Sequence, residues 1–411
     1  MPTLHVLHVP MSPSPLKQLA EQLAALSPAD PQYAVTVVDR TLAAAMAAGA
    51  SDVHCQPAAA GLELKFRIDG VLHDVLLFPL QAAANIIARL KVQAQLLTYH
   101  TDVPQEGRIR QSGQDVEMRV STFPTLHGER VVVRLFGGSQ QYQYLDDLAL
   151  PADVLVPLRR LLGETSGAVL VSGPAGSGKT TSVYACLREL ARACASQRSL
   201  VSIEDPIEVS VPGVAQSQVN RQVGLDLATG LRFLMRHDPE VIMVGEIRDR
   251  ATAEAALQAS LTGHLLLSTY HAGSAAETIG RLLDMGIEPY ILRSGLLAVL
   301  CQRLVRRLCT CATPGDSSEA YLGLPVEQAM LPRGCEACGG SGYRGRFLLV
   351  EMLLPARSEL GRAILSRSDT PQLEELAVAA GMVSRWQRAC QAVEAGLTSP
   401  AEIRRVLGFG G

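Results

Sequence analysis

A short glycine-rich run in the middle of the chain constrains the fold more than any other feature. Residues 173–180 read GPAGSGKT and fit the phosphate-loop pattern G-x-x-x-x-G-K-[ST] at every fixed position. The glycines let backbone N–H groups curl around phosphate oxygens, Lys179 adds a positive charge, and Thr180 offers a hydroxyl to Mg²⁺. A strand-like run at 168–171 leads in, and a helical pattern over 181–195 leads out. The chain is therefore predicted to bind a nucleoside triphosphate. The residues expected to line its phosphates are Gly173, Pro174, Ala175, Gly176, Ser177, Gly178, Lys179, Thr180 and Thr181.

The bulk composition limits the classes of protein to consider. The 411 residues suffice for two or three domains of a typical length of ~150 residues each. The formal net charge of −3 gives no bulk positive field of the kind that supplies nonspecific nucleic-acid affinity, which argues against a DNA translocase and predicts no nucleic-acid partner. No apolar run approaches the ~18 residues of a membrane span, and residues 1–18 lack a signal-peptide pattern. We therefore expect a cytoplasmic protein.

Two α/β segments follow one another along the chain. In the first, alternating runs at 62–68 and 71–75 flank Asp69-Gly70, which is typical of a β-hairpin. Beyond Pro151, apolar strands alternate with helical patterns, the order typical of a parallel sheet wrapped by helices. Further elements are expected as helices at 16–26, 82–95 and 251–261 and as strands at 116–122, 130–136, 200–203, 241–244 and 265–268. The predicted division is 1–32 as an extension, 33–138 as a first domain, 139–150 as a linker, 151–306 as a second domain, 307–350 as a cysteine-bearing segment and 351–411 as short helices.

Carboxylates follow two of the predicted parallel strands. Glu204, Asp205 and Glu208 come after the strand at 200–203, and Glu246 comes after the strand at 241–244. Ligands bind at the carboxyl edge of such sheets, so these groups are candidates to hold Mg²⁺ and to orient a water for phosphoryl transfer. The alternative interpretation is a set of solvated caps at strand ends.

Two histidines flank the strand at 265–268. His264 precedes this strand and His271 follows it. A histidine here has the chemistry to hydrogen-bond a γ-phosphate or a neighbouring subunit, but each alone fits an ordinary packed residue equally well.

Taken together, the motifs resemble one family, the secretion ATPases of type II secretion and type IV pilus assembly. The similarity covers roughly residue 34 to the C-terminus, and its four ordered boxes make coincidence remote. In the second segment these are Walker A at 173–180, the aspartate box at 204–208, Walker B with its lead-in at 231–249 and the histidine box at 261–271. In the first segment the matching runs are 50–54, 66–70, 104–108 and 119–122.

The resemblance implies an architecture and a set of roles. The first domain is expected to be PAS-like and the second a RecA-like P-loop ATPase domain, with a zinc-knuckle subdomain, a helical C-terminus and assembly into a hexameric ring. Within the second domain, the resemblance gives Lys179 and Thr180 the phosphate and magnesium roles and makes Glu246 the Walker B carboxylate. Glu208 becomes the general base or water-positioning group, supported by Glu204 and Asp205, while His264 and His271 become sensors of nucleotide state.

Two arginines of the first domain receive a role only through this resemblance. Arg119 and Arg134 lie on neighbouring predicted strands and match the family's arginines that reach the γ-phosphate. A guanidinium placed there neutralises charge on the transferring group. From the residues alone, a pair of surface arginines on half-exposed strands is the better interpretation.

Four cysteines stand in two close pairs, Cys309/Cys311 and Cys335/Cys338. The second pair matches the family's second cysteine knuckle, and Zn²⁺ favours four thiolates in a tetrahedron. The first pair departs from the family because one residue intervenes where C-x-x-C is expected. Either all four cysteines bind zinc, or Cys301 replaces one of them, or the site is distorted, or the thiols are buried and free.

The resemblance implies a hexameric ATP hydrolase that drives pilus or pseudopilus assembly through an inner-membrane platform protein, peripheral to the cytoplasmic membrane. A pilus retraction ATPase is the nearest rival, and it would lack the cysteine pairs. A RecA-like nucleic-acid motor is a second rival, which the net charge does not favour. A nonhydrolysing regulatory ring would lack the catalytic acids, whereas Glu208 and Glu246 are both present.

Overall fold

A computed structural model describes residues 15–110, 117–136, 142–194, 197–315, 321–355 and 358–409. The chain divides into two compact units. The first comprises Met1–Gly138, Leu308–Thr313 and Pro332–Gly345, and the second comprises Ser139–Arg307, Pro314–Leu331 and Arg346–Gly411. Several predicted features lie partly outside the described residues, namely the extension at 1–14, the strand start at 116, the linker at 139–141, the helix end at 195 and the terminus at 410–411.

The first unit is built on a six-stranded sheet in which every described neighbouring pair is antiparallel. Its strands are β1 Asp52–Ala58, β2 Gly61–Ile68, β3 Val71–Phe78, β4 Gln105–Arg110, β5 Glu117–Thr125 and β6 Gly128–Phe136, in the order β3-β2-β1-β6-β5-β4. Its helices are α1 Pro15–Ala24, α2 Tyr33–Ala47 and α3 Leu80–Gln93. Apolar residues of α2 and α3 share one core with the inward residues of the sheet.

The predicted hairpin is confirmed, and its turn explains the sequence. Asp69 and Gly70 have φ values of 49° and 80°, which is the backbone of a two-residue hairpin loop with positive φ at both positions. Residues Ile68 and Val71 then pair across β2 and β3. Because Gly70 carries no Cβ, it adopts this conformation without steric cost.

The second unit is built on a seven-stranded sheet. Its strands are β7 Gly167–Ser172, β8 Leu200–Glu204, β9 Ala215–Gln218, β10 Val241–Val244, β11 Leu265–Tyr270, β12 Leu296–Leu308 and β15 Tyr343–Leu353, in the order β15-β12-β7-β11-β10-β8-β9. A separate pair consists of β13 Thr313–Pro314 and β14 Met330–Leu331. Its helices are α4 Ala152–Leu162, α5 Lys179–Cys194, α6 Leu227–Leu234, α7 Arg250–Leu261, α8 Ala275–Asp284, α9 Pro289–Gly295, α10 Ser358–Leu365, α11 Thr370–Ala379, α12 Arg385–Glu394 and α13 Pro400–Leu407.

From β12 through β7, β11, β10 and β8 to β9, each strand pairs in parallel with the next. Every residue of β7 and β11 is buried, since helices cover both faces of the sheet at its centre. Leu145, Leu148 and Leu150, which fall in the stretch predicted as a linker, are buried in the core beside α4 and α5. The carboxyl ends of β7, β8, β10 and β11 therefore meet at one edge of a rigid sheet.

A buried ion cluster joins the end of the chain to β12. Glu402, on α13, has no exposed surface and accepts hydrogen bonds from the side chains of Arg306 and Arg405 at 2.6–3.0 Å. Burial alone would raise the pKa of Glu402, but the two arginines outweigh it and hold the pKa below its usual value.

Among the helices within the described ranges, none combines the length and the apolar character that a membrane span requires.

Candidate functional site

The phosphate loop connects β7 to α5, as the sequence predicts. Gly173, Gly176 and Gly178 have φ values of 147°, 73° and 86°, a backbone region that side chains rarely adopt. A Cβ at Gly173 would lie 2.5 Å from both the Gln302 carbonyl oxygen and the Ser177 hydroxyl. The loop can therefore take this path only with glycine at that position.

Other residues of the loop divide between its tip and its base. Pro174 and Ala175 are exposed at the tip, and Thr180 is exposed on the first turn of α5, with Thr181 half-buried beside it. The Ser177 hydroxyl is buried without a hydrogen-bond partner among the described residues. The exposed Thr180 hydroxyl at the helix start has the position that a magnesium ligand of a phosphate loop requires.

Lys179 folds back over the loop. Its amine donates hydrogen bonds to the carbonyl oxygens of Gly173 at 3.0 Å and Pro174 at 2.9 Å. Burial lowers the pKa of Lys179, and the negative charge of Glu246 partly opposes this. A lysine with these properties is positioned to exchange carbonyl oxygens for phosphate oxygens.

Gln302 on β12 holds the phosphate loop in place through two hydrogen bonds, and no sequence motif indicated this residue. Its side chain is 1% exposed, donates from Nε2 to the Ser177 carbonyl at 2.8 Å and accepts at Oε1 from the Ser182 hydroxyl at 3.0 Å. The one sequence signal was an amide within an otherwise apolar run, LLAVLCQ. A buried amide of this kind usually has a specific partner.

Glu246 lies immediately beyond β10, at the same edge of the sheet. It forms an ion pair with Arg248, and its Oε2 lies 3.7 Å from Nε2 of His271. Burial is the largest cause that lowers the pKa of His271, followed by the positive charge of Lys179, while Glu246 acts in the opposite direction. The structure thus brings Lys179, Glu246 and His271 together, as the order of the motifs predicts.

The acidic stretch after β8 is held by a hydrogen-bond network. Glu204 is 2% exposed and accepts from the hydroxyls of Tyr184 and Ser202 and from the Gln216 amide. The Tyr184 hydroxyl in turn accepts the N–H of Glu208 at 3.2 Å. Glu204 is therefore an internal anchor of this stretch, whereas Glu208 is only half-buried.

Asp205 is at the surface. Its carboxylate accepts a hydrogen bond from Arg221 at 2.7 Å, and Arg221 is itself largely exposed. Screening by water makes such an exposed pair weak.

His264 does not lie at the phosphate-loop edge. It precedes β11, whose six residues at ~3.3 Å per residue separate it by about 20 Å from His271. Its Nδ1 is 3.0 Å from the carbonyl oxygen of Ala259, where it caps the end of α7. The structure gives His264 a local structural partner, and its role as a nucleotide sensor stays a prediction.

Arg119 and Arg134 belong to the first unit, where β5 and β6 place them directly opposite each other. Arg134 is exposed and donates from Nε to Asp52 at 3.1 Å. The predicted adjacency of the two strands is confirmed, whereas the contact of these arginines with a γ-phosphate stays a prediction.

The four predicted cysteines form a cluster in the first unit. Sulfurs of Cys309 and Cys335 lie 3.8 Å apart, those of Cys335 and Cys338 lie 3.7 Å apart, and those of Cys311 and Cys338 lie 4.0 Å apart. A tetrahedron with Zn–S bonds of ~2.3 Å has sulfurs about 3.8 Å from one another, so the cluster is compatible with zinc. Cys301 is not among the four; it is buried in β12, in the other unit, beside the Ala272 carbonyl.

Backbone N–H groups stabilise negative charge on one of these sulfurs. The sulfur of Cys338 accepts from the N–H of Cys335 at 3.1 Å and of Gly342 at 3.2 Å. Although burial would raise the pKa of Cys338, these donors lower it to about 6. The thiolate is the form of cysteine that binds a metal ion, and a lowered pKa favours the thiolate.

The fold and this edge of the sheet define a P-loop ATPase. The profile of the family described as "Type II/IV secretion system protein" matches residues 28–405. The chain belongs to that family, which confirms the resemblance inferred from the motifs. The predicted α/β fold and the enzyme class, ATP hydrolase, agree with it.

Individual proteins agree with the family assignment. The chain is 40% identical over 375 residues to type II secretion system protein HxcR of Pseudomonas aeruginosa, an alignment that covers 90% of this chain and 77% of that protein. It is 41% identical over 381 residues to type II secretion system ATPase E of Vibrio cholerae, covering 90% and 75% respectively. Among solved structures, the Legionella pneumophila ATPase DotB matches with a TM-score of 0.66 at 22% identity, over 90% of this chain and 95% of DotB, a likeness that shows the fold alone.

Proposed function

We propose that this protein is an ATP-driven motor that powers assembly of a pilus or pseudopilus, in type II protein secretion or type IV pilus biogenesis. The observation that carries the proposal is the grouping of Lys179, Glu246 and His271 beside a complete phosphate loop. The type II secretion relatives, at 40% and 41% identity, support the same machine.

The chemistry follows from the residues at the sheet edge. Lys179 and the N-terminus of α5 attract the phosphates of ATP, and the inward N–H groups of the loop bind their oxygens. Thr180 and Glu246 would hold Mg²⁺, which when bound neutralises charge on the phosphates. Glu208 positions or deprotonates the attacking water, and Asp205 and Glu204 support it. Bond cleavage then yields ADP and inorganic phosphate.

Four further residues have proposed roles in hydrolysis. Arg119 and Arg134 stabilise charge on the transferring phosphate, and His264 and His271 report which nucleotide is bound. For His271 the support is its 3.7 Å approach to Glu246. For the arginines it is their direct pairing in the sheet of the first unit, which presents two guanidinium groups side by side.

The cysteine cluster is proposed to hold one zinc ion. Cys309, Cys311, Cys335 and Cys338 supply four thiolates within 4.8 Å of one another, which is the closed coordination typical of a structural zinc site. Such a site leaves no open position for catalysis, so its expected contribution is to fold the loops at 309–311 and 335–338.

The machine we propose is a homo-hexameric ring at the inner face of the cytoplasmic membrane, where an inner-membrane platform protein recruits it. Residues 33–138 act as the PAS-like domain, 151–306 as the ATPase domain and 307–350 as the zinc segment. The short segments 1–32, 139–150 and 351–411 act as extension, linker and C-terminal helical region. ATP turnover then drives rigid-body motion between domains, which moves the platform protein.

Phosphate release by the purified chain with MgATP tests the proposal. Removing a general base or a metal carboxylate should lower kcat by about 100-fold or more, so Glu208→Gln and Glu246→Gln are expected to be nearly inactive. Glu254→Gln is the matched control, because Glu254 is exposed on α7 and pairs with Arg250 at the surface. Co-purification with a multispanning platform protein tests the partner. Parent-like activity in both variants would contradict the assigned roles.

A further inference from the structure

Tyr184 is a buried polar residue close to the phosphate loop that no motif explains. It lies on α5, five residues after Lys179 and one helical turn after Thr180, so Thr180 and Tyr184 share a helix face. Its side chain is 3% exposed. A buried tyrosine hydroxyl is usually hydrogen-bonded, and the Tyr184 hydroxyl both donates and accepts a hydrogen bond.

One side of the Tyr184 hydroxyl faces Glu204. The hydroxyl donates to Oε2 of Glu204, and Oε1 of the same carboxylate accepts from Ser202 at 2.6 Å and Gln216 at 3.1 Å. Both carboxylate oxygens are thus engaged inside the protein. Glu204 consequently acts through its neighbours, not by direct contact with a nucleotide.

The other side faces the stretch that carries Glu208. The hydroxyl oxygen accepts the backbone N–H of Glu208 at 3.2 Å. Gln216 fixes the following residues, because it donates to the Val209 carbonyl at 3.0 Å and accepts the Val211 N–H at 2.7 Å. The Tyr184 hydroxyl therefore links the backbone at Glu208 to the phosphate-loop helix.

We propose that Tyr184, anchored by Glu204, is a positioning residue that sets the place of Glu208 relative to the phosphate loop. The inference rests on the proposed role of Glu208 in hydrolysis. A displacement of about 1 Å in a catalytic group can lower a rate by as much as 100-fold, so one hydrogen bond at this point has a large effect on turnover.

The protonation state suits this role. Burial is the main cause that raises the pKa of Tyr184, and the hydrogen bond to Glu204 raises it further, so the hydroxyl stays protonated at neutral pH. A protonated hydroxyl donates one hydrogen bond and still accepts another. Phenylalanine would fill the same space without either contact.

The test compares Tyr184→Phe, Glu208→Gln and the double variant in steady-state ATP hydrolysis. Tyr184→Phe should lower kcat about 10-fold while KM for ATP stays within about twofold, because the phosphate loop itself is unchanged. In the Glu208→Gln background the same change should have no further effect, since Tyr184 acts only through Glu208. Tyr33→Phe, at another buried tyrosine far away along the chain, is the matched control.

The outcomes separate the inference from the proposed function. If Glu208→Gln is impaired while Tyr184→Phe matches the parent, the positioning role is wrong and the function stands. An additive loss in the double variant, or a rise in KM equal to the fall in kcat/KM, also overturns the positioning role. If Glu208→Gln hydrolyses ATP like the parent, the inference and the assigned role of Glu208 both fail.

Discussion

The hydrogen bonds of Gln302 lead to a quantitative prediction about nucleotide affinity. In Gln302→Leu the side-chain volume is nearly kept, but the Ser177 carbonyl and the Ser182 hydroxyl lose their partner. Both serines are almost fully buried, so water cannot readily replace that partner. An unpaired buried polar group costs ~1–3 kcal/mol, and relaxation of the loop recovers part of the cost.

The phosphate loop is expected to absorb this cost by moving. We take about 2 kcal/mol, the sum of two costs at the lower limit, as the free energy needed to restore the binding geometry. At 1.4 kcal/mol per factor of ten, the Kd for MgADP should rise about 30-fold. Titration calorimetry on the purified protein measures this directly.

Ser182→Ala is the matched control for this prediction. It removes the contact at Oε1 but leaves the bond between Nε2 of Gln302 and the Ser177 carbonyl, so its Kd should change by about threefold or less. An unchanged Kd in Gln302→Leu, in a protein that is still folded by circular dichroism, would refute the argument that Gln302 holds the loop in its binding geometry.

Three further predictions concern stability and metal content. Glu402→Gln leaves Arg306 and Arg405 without their buried counter-charge, so it should lower the free energy of unfolding by about 3 kcal/mol. In calorimetry the Tm of the second unit should fall by roughly 6–12 °C, and an unchanged Tm would contradict the buried pairing. The fold holds the pKa of Glu402 below its usual value of ~4.3, so the ionised carboxylate stabilises the fold fully above about pH 4.3 and loses this effect as the pH falls through its lowered pKa. Below about pH 4 the Tm of the parent should therefore drop more steeply than that of Glu402→Gln, and parallel curves of Tm against pH would refute this. Metal analysis should find about one zinc per chain in the parent and much less in Cys338→Ser, with Cys390→Ser as a control outside the cluster; equal zinc in both variants would contradict the site.

The parts of the fold that local patterns encode were predictable from the sequence. The apolar run predicted at 168–171 is β7, and the helical pattern predicted at 181–195 is α5. The hairpin at Asp69-Gly70 was equally clear, because only certain residues adopt its turn. Each of these signals lies within one stretch of chain.

Elements that depend on distant partners were not predictable. Strand β12 contains Gln302, Arg303 and Arg306. These polar residues interrupt the apolar run that an interior strand of a parallel sheet usually has. They are tolerated because each has a partner far away in sequence, such as Glu402 for Arg306. Sequence reasoning has no means to supply such a partner in advance.

The candidate site shows the same division. The motifs identified Lys179, Glu246 and His271, which the structure brings together. The resemblance made Glu204 a residue that supports Glu208, and its burial against Tyr184 shows that it is an internal anchor. The resemblance gave His264 and His271 one shared role, although the strand predicted between them is present and separates the two.

Residues 173–180 are expected to bind the triphosphate of ATP, and a structure with a nonhydrolysable ATP analogue and Mg²⁺ tests this. The β- and γ-phosphates should lie inside the loop, and the Lys179 amine should move from the carbonyl oxygens of Gly173 and Pro174 onto phosphate oxygens. An analogue bound elsewhere, or a Lys179 that still donates hydrogen bonds to both carbonyls beside the bound analogue, would show that the loop does not bind ATP in this way.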